Sequence, residues 1–260
     1  MQAAAKNNEQ LSTALAELRG ILGDSLLAVY LHGSAVSGEL RPQSDIDLIA
    51  VVDRGMTTDE RAKLLASLLP LSGRHPAAPN GPRCLEVMVF SRRDLAHHLF
   101  PARVDFVYGE WLRDAFEAGE TPKPAHDPEF TLVLAQARQE AIPLFGPDAD
   151  QLLPEVSREV VQQAMRNLLP ALLDSLNEDT RNVLLTLARM WRTAISGAFV
   201  SKDEAAIWAV ARLTEQDAST LDHARRAYLG EVPDDWHSRR DAATRLAERL
   251  AMNVTEATTA

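Results

Sequence analysis

Cysteine is almost absent: Cys84 stands alone among 260 residues. No intramolecular disulfide can form, and a zinc site built from cysteines is excluded. No stretch approaches the roughly eighteen apolar residues of a membrane-spanning helix. Positive charge is also short, with 27 Lys and Arg against 37 Asp and Glu and a formal charge of −10. That balance argues against a protein that tracks nucleic-acid phosphates, which needs a basic face. It suits a cationic partner, and it serves solubility equally well. The opening residues MQAAAKNNEQ show neither a basic segment ahead of an apolar one nor an Arg-rich transit pattern, so a soluble cytoplasmic protein is expected. Internal repeats and low-complexity tracts are lacking too.

What is present divides at about residue 155. Leu11, Leu15, Leu18 and Leu22 recur at helical spacing, and the apolar run 26–31 that follows, ending at His32 and Gly33, reads as a buried strand and a turn. Residues 45–52 form a second strand, and Thr57 with Glu60 three positions on marks a capped helix start. A loop carrying Pro76, Pro79, Gly81 and Pro82 leads to a third strand at 84–90. Ser91 with Asp94 opens a helix expected to carry His97 and His98, and Asp127 before Pro128 opens another. From 146 to 155 Gly, acidic residues and prolines mark a connector. Beyond it strands vanish. Val160, Val161, Ala164, Met165, Leu168 and Leu169 repeat at helical spacing, as do Val183, Leu184, Leu187, Met190 and Trp191, and Ser201 with Glu204 starts a further helix. Pro170 is expected to kink or end the first of these, and the tail after Met252 to fray.

The chemistry concentrates in Gly33-Ser34-Ala35-Val36-Ser37-Gly38 followed by Ser44-Asp45-Ile46-Asp47-Leu48. Strand side chains alternate, so Asp45 and Asp47 share one face and Ile46 and Leu48 the other. Two such carboxylates repel unless a cation neutralises them, and hard oxygen donors favour Mg²⁺. Gly33 and Ser34 follow a strand and open a short helix, offering backbone N–H groups and a hydroxyl to phosphate oxygens. Glu86, between Leu85 and Val87, stands beside the aspartates if the strands are neighbours. His32 is expected to bond backbone at the strand end, and Trp191, Trp208 and Trp236 to pack.

These residues resemble the signature of DNA polymerase β-like nucleotidyltransferases. More narrowly, the chain resembles the aminoglycoside (3″)(9) adenylyltransferases through LHGSAVSGELRPQSDIDL, LEVMVF, YGEWLR, LLTLARMW, KDEAAIWAV and ARRAYLG. The resemblance implies an α+β nucleotidyltransferase domain at 1–155, a small mixed sheet with flanking helices. It implies an all-α helical bundle domain at 156–260, closing a cleft for ATP and the acceptor. By the same likeness Asp45, Asp47 and Glu86 hold two Mg²⁺ ions, and Glu86 takes the proton from the acceptor hydroxyl. Gly33, Ser34, Ser44, Glu129, Arg189, Lys202 and Tyr228 serve ATP, with Glu129 standing where close relatives carry Asp. Trp111, Asp174, Asp179 and Asn182 face the acceptor; capping of a helix near 177–180 and, for Trp111, core packing are the structural alternatives.

Relatives that adenylylate streptomycin carry a Trp, and an Asp five residues on, before LLTLAR. Here that region reads Pro170-Ala171-Leu172-Leu173-Asp174-Ser175 without the Trp. Spectinomycin, at its 9-hydroxyl, is therefore the expected substrate ahead of streptomycin at its 3″-hydroxyl. The expected partners are ATP and a small aminoglycoside or aminocyclitol, with neither nucleic acid nor membrane; the sequence leaves the oligomeric state open, a monomer being compatible with it. A protein acceptor, as in antitoxin-like nucleotidyltransferases, and a non-catalytic nucleotide-binding module are the competing readings.

Overall fold

The structure is a computed structural model and describes residues 2–36, 44–75, 78 and 81–259, with the side chains of 2–7 left aside. Ser37, Gly38, Pro76 and Pro79 of the sequence motifs lie outside the described residues. The chain divides into two compact units, Met1–Glu155 and Val156–Ala260.

In the first unit α1 (Gln2–Leu22) leads into β1 (Leu26–His32), and a single 3₁₀ turn (Gly33–Ala35) follows. Then come β2 (Ile46–Val52), α2 (Thr58–Leu71), β3 (Leu85–Ser91), α3 (Arg92–Ala96), β4 (Arg103–Val104) and β5 (Phe106–Tyr108). After α4 (Arg113–Glu117), the unit ends with β6 (Ala125–His126), α5 (Pro128–Glu140), β7 (Ile142–Phe145) and α6 (Ala149–Leu152). Among the described residues the main sheet runs β5-β3-β2-β1-β7, and β4 pairs with β6 apart from it. It is mixed: β2 and β3 are parallel, while β1 pairs antiparallel with both β2 and β7 and β3 does so with β5.

Alternation along the strands sends two sets of side chains to two faces. Ile46, Leu48, Leu85 and Val87 pack against Ala14 and Leu18 of α1 and Leu64 and Leu68 of α2. Ile49, Val51, Met88 and Phe90 pack against Phe130, Leu134 and Ala137 of α5. Each fully buried Leu or Phe contributes about 1.5–3 kcal/mol, so the sheet is held from both sides. The helix starts are fixed locally. Thr57 Oγ1 accepts from the Glu60 N–H at 3.2 Å, and Glu60 Oε2 accepts from the Thr57 N–H at 2.7 Å, closing the capping box. Asp127 caps α5 through the Glu129 N–H at 2.8 Å.

Several expectations change. β5 and β7 lack an alternating pattern long enough to read: one has three residues, and the other carries Pro143 at the edge of the sheet. α3 stops at Ala96, because His97 is its C-cap and His98 adopts a positive φ of 47°, so the two histidines are not helical neighbours.

The second unit is helical: α7 (Arg158–Asp174), α8 (Thr180–Ser196), α9 (Lys202–Val210), α10 (Glu215–Tyr228) and α11 (Arg240–Thr259). Ser201 and Glu204 close a second capping box at α9. Pro170 does not end α7, which continues to Asp174. Its ring lies on the exposed side, where a carbonyl deprived of its helical partner meets water. Nor does the chain fray after Met252. Val254 and Thr258 are buried, and the tail is tied to α7 by Gln162 Nε2 to the Ala257 carbonyl at 3.3 Å and by Arg166 to the Thr258 carbonyl.

Candidate active site

The acidic motif sits where β2 and β3 begin. Their parallel register pairs Asp47 with Glu86, and both are half-buried. Paired residues project to one face, here the face that carries Ile49, Val51, Met88 and Phe90 further along. The apolar row thus ends in two carboxylates where these two interior strands begin. Asp45 precedes the first paired residue of β2, and the Ile46 N–H donates to the Cys84 carbonyl at 2.9 Å.

Gly33 adjoins this pair for a steric reason. Its φ is +69°, and a Cβ built there would lie 2.2 Å from Asp47 Oδ2. Only a residue without a side chain lets the turn approach the carboxylate so closely. Ser34 follows in the same turn, half-buried, and Ser44 is buried with its Oγ lacking a hydrogen-bond partner.

His32 pairs with Asp47 from the other side. Burial pulls its pKa down to about 4, which leaves the ring neutral. The expected backbone bond is not made by Nε2, which is buried without a partner. An orphaned buried polar atom costs about 1–3 kcal/mol.

Arg83 was not singled out in the sequence, because a lone Arg after a Pro/Gly-rich loop has no motif. Its Nη1 donates to the Ser44 carbonyl at 2.7 Å. Burial lowers its pKa while the charge of Asp45 raises it, so it counters the acidic motif at close quarters. Gln10 of α1 holds its backbone: Oε1 accepts from the Arg83 N–H at 3.0 Å, and Nε2 donates to the Arg83 carbonyl at 2.8 Å. Burial, followed by the charges of Asp45 and Glu110, pushes the Cys84 thiol up to about 12, so it is no nucleophile.

The residues YGEWLR form a buried scaffold under an exposed ring. Arg113 Nε donates to Glu110 Oε2 at 2.6 Å, and its Nη2 donates to Glu110 Oε1 at 2.9 Å. Glu110 Oε1 also accepts from Tyr108 at 2.7 Å and from Ser72 at 2.6 Å. Ser72 Oγ in turn accepts from the N–H of Leu85, the neighbour of Glu86, at 2.9 Å. Trp111 is 62% exposed, so the core-packing alternative fails. A Cβ at Gly109 would strike its ring at 2.2 Å, which shows the indole folded back over the glycine. Glu129 is exposed in the first turn of α5.

In the second unit three candidates meet. Lys202 Nζ donates to Asn182 Oδ1 at 3.4 Å, and Asn182 Nδ2 donates to Asp179 Oδ2 at 2.8 Å. Asp179 is the N-cap of α8 by position, yet its side chain makes no capping bond, being taken up by Asn182 instead. Arg189 lies two turns beyond Asn182 on the same face of α8, half-buried. Asp174 is exposed at the end of α7, Tyr228 is half-buried at the end of α10, and neither joins this chain. A cavity of about 310 Å³ opens beside Asp179, lined also by Arg181, Asp234 and Trp236. Trp191 and Trp208 do pack, edge to face at 4.8 Å.

Among the described residues no three His, Cys, Asp or Glu side chains are gathered closely enough to hold a metal ion by themselves. The Asp47–Glu86 pair fits a different demand. Mg²⁺ takes one or two carboxylates and fills its remaining positions with water and phosphate oxygens.

Comparison with known proteins identifies the fold. Residues 20–76 match the polymerase β nucleotidyltransferase family, and residues 151–253 match the aminoglycoside adenylyltransferase C-terminal domain. The fold is therefore that of a nucleotidyltransferase. A spectinomycin 9-adenylyltransferase of Staphylococcus aureus is 41% identical over 229 residues, 88% of this chain and 87% of that protein. An aminoglycoside (3″)(9) adenylyltransferase of Escherichia coli is 34% identical over 254 residues, 95% and 96% of the two chains. A spectinomycin adenyltransferase from Enterococcus faecialis, solved with ATP and spectinomycin, superposes with a TM-score of 0.89 at 26% identity, covering 96% of this chain and 99% of that one. The chain belongs to the aminoglycoside adenylyltransferase family.

Proposed function

We propose that this protein transfers AMP from ATP to a hydroxyl of an aminoglycoside or aminocyclitol, with spectinomycin at its 9-hydroxyl the preferred acceptor, and so confers resistance. The observation that carries the reading is the in-register pair Asp47 and Glu86 beside the Gly33 turn, in a chain of this family. Asp45, Asp47 and Glu86 are the residues that would hold two Mg²⁺ ions. Magnesium there would neutralise triphosphate charge and polarise the phosphorus–oxygen bonds.

In this reading Glu86 accepts the proton of the acceptor hydroxyl. The freed oxygen attacks the α-phosphorus, the bond from that phosphorus to the bridging oxygen breaks, and pyrophosphate leaves. Gly33, Ser34 and Ser44 receive the triphosphate oxygens. Glu129 and Tyr228 adjoin the nucleotide, and Arg189 and Lys202 supply positive charge to the phosphates. Trp111 offers its exposed face to the sugar rings and cationic groups of the acceptor, and Asp174, Asp179 and Asn182 offer polar contacts. The missing Trp ahead of Asp174 favours spectinomycin over streptomycin.

Purified protein with ATP and Mg²⁺ should release pyrophosphate when spectinomycin is added, and more slowly with streptomycin. Silence with both removes the acceptor assignment. Glu86→Gln should abolish turnover while ATP binding persists; full activity in that variant disproves its role as base.

A further inference from the structure

His32, Asp47 and Glu86 form one lateral row across three neighbouring strands, because His32 pairs with Asp47 and Asp47 with Glu86. Residues paired directly across a sheet project to the same face. The imidazole therefore stands beside the carboxylates, and the next residue along the chain is Gly33, the start of the turn that presses on Asp47. His32 is 5% exposed, and its Nε2 is buried with no hydrogen-bond partner. Ser44 Oγ, adjacent in sequence to Asp45, is in the same state. Two orphaned polar groups thus flank the acidic motif.

Buried polar side chains are nearly always hydrogen-bonded, and one that is not calls for a missing partner. Packing alone does not require a histidine here, since an apolar side chain of similar size would fill the space without stranding a nitrogen. The surroundings say what would complete it. The neighbouring carboxylates cannot both approach a third oxygen without a cation.

We infer that His32 is a binding residue for the metal–triphosphate, its Nε2 hydrogen-bonding an oxygen that arrives with the nucleotide: a phosphate oxygen or a water on the magnesium. The inference rests on the adenylyl-transfer reading above and adds to it a ligand outside the acidic motif. In the free protein this nitrogen is stranded, and in the loaded protein it is satisfied. Part of the nucleotide's affinity therefore comes from relieving it.

The experiment compares the full-length protein with His32→Leu, His32→Gln and His32→Asn. MgATP binding is followed by calorimetry, Mn²⁺ binding without nucleotide by electron paramagnetic resonance, and stability by thermal melting. A glutamine amide nitrogen reaches about as far as Nε2, whereas that of asparagine reaches only as far as Nδ1. His32→Leu should bind MgATP about tenfold more weakly, about 1.4 kcal/mol, with a melting temperature equal to or above that of the parent. His32→Gln should stay within about threefold of the parent, and His32→Asn should match the leucine variant. Loss with MgATP alone identifies a phosphate oxygen, and an added loss with Mn²⁺ alone identifies a metal-bound water. Unchanged MgATP affinity in the variants overturns the inference, as does a lower melting temperature with affinity intact. If the leucine variant does not fold, equal affinities for the Gln and Asn variants overturn it. Failure of the parent itself to bind MgATP would sink the transfer reading as well, whereas binding by the parent with unaltered variants sinks this inference only.

Discussion

The carboxylate of Asp47 occupies the space that a side chain on Gly33 would need, with 2.2 Å between Oδ2 and the position of a Cβ. Gly33→Ala must therefore move either the turn or the acid, and it does so at a φ of +69°, where a Cβ costs about 1–2 kcal/mol. Adenylyl transfer, measured by pyrophosphate release, should fall at least about a hundredfold, the scale on which small misplacements of reacting groups act. Turnover within tenfold of the parent would mean that the turn and the acid do not act together.

Trp111 and Glu110 are neighbours in sequence with opposite expected effects. Trp111 is 62% exposed, so Trp111→Ala should leave the melting temperature within a degree or two and raise KM for spectinomycin about tenfold. Glu110 is buried in a bidentate pair with Arg113. Glu110→Ala removes the bidentate partner of a guanidinium that keeps Glu117 and the Leu69 and Ser72 carbonyls, and should destabilise the fold by about 1–3 kcal/mol, read by urea unfolding. A stable Glu110→Ala protein would show that the network is dispensable.

Acid stability has a defined contributor in Glu60. Its hydrogen bond from Arg54, aided by the N–H of Thr57, holds the carboxyl at about 2 against an ordinary 4.5, despite partial burial. A depressed folded pKa contributes stability that is complete above the unfolded value and is lost as pH falls through the folded one. The window is therefore about pH 4.5 to 2. Glu60→Gln should melt below the parent at pH 7, and the gap should shrink as pH drops through that window. A gap constant from pH 7 to pH 2 would assign the loss to something other than the carboxylate charge.

The last turns of α11 are part of the fold. Removing residues 253–260 deletes buried Val254 and Thr258 together with the bonds from Gln162 and Arg166. Each kcal/mol lost lowers the melting temperature of a chain this size by about 2–4 °C, so a fall of roughly 5 °C or more is expected. An unchanged melt would show that the tail adds nothing.

Much of this was legible before any coordinates. The aspartates declared themselves by alternation within an apolar strand, and the capping boxes at Thr57 and Ser201 by residue type at fixed spacing. What stayed hidden depended on contacts distant in sequence. β5 and β7 are too short to show a period. The tail stays helical because Val254 and Thr258 are buried and α7 supplies donors to its carbonyls. Arg83 and Gln10 lie 73 residues apart, and no local pattern joins them. Read locally, Asp179 announced a helix cap, but a side-chain amide one turn away claims its carboxylate. The role of YGEWLR emerged only when Tyr108, Glu110 and Arg113 were found holding one another beneath the indole.

The parallel pairing of β2 with β3 makes the chemistry sensitive to a single step of alignment. A slip by one residue would set Leu85 or Val87 opposite Asp47 and leave a lone acid. The grip of Gln10 on both backbone groups of Arg83 guards against that slip from outside the strands. An anchor in α1, remote from both strands in sequence, thus keeps the two carboxylates abreast alongside their own ladder.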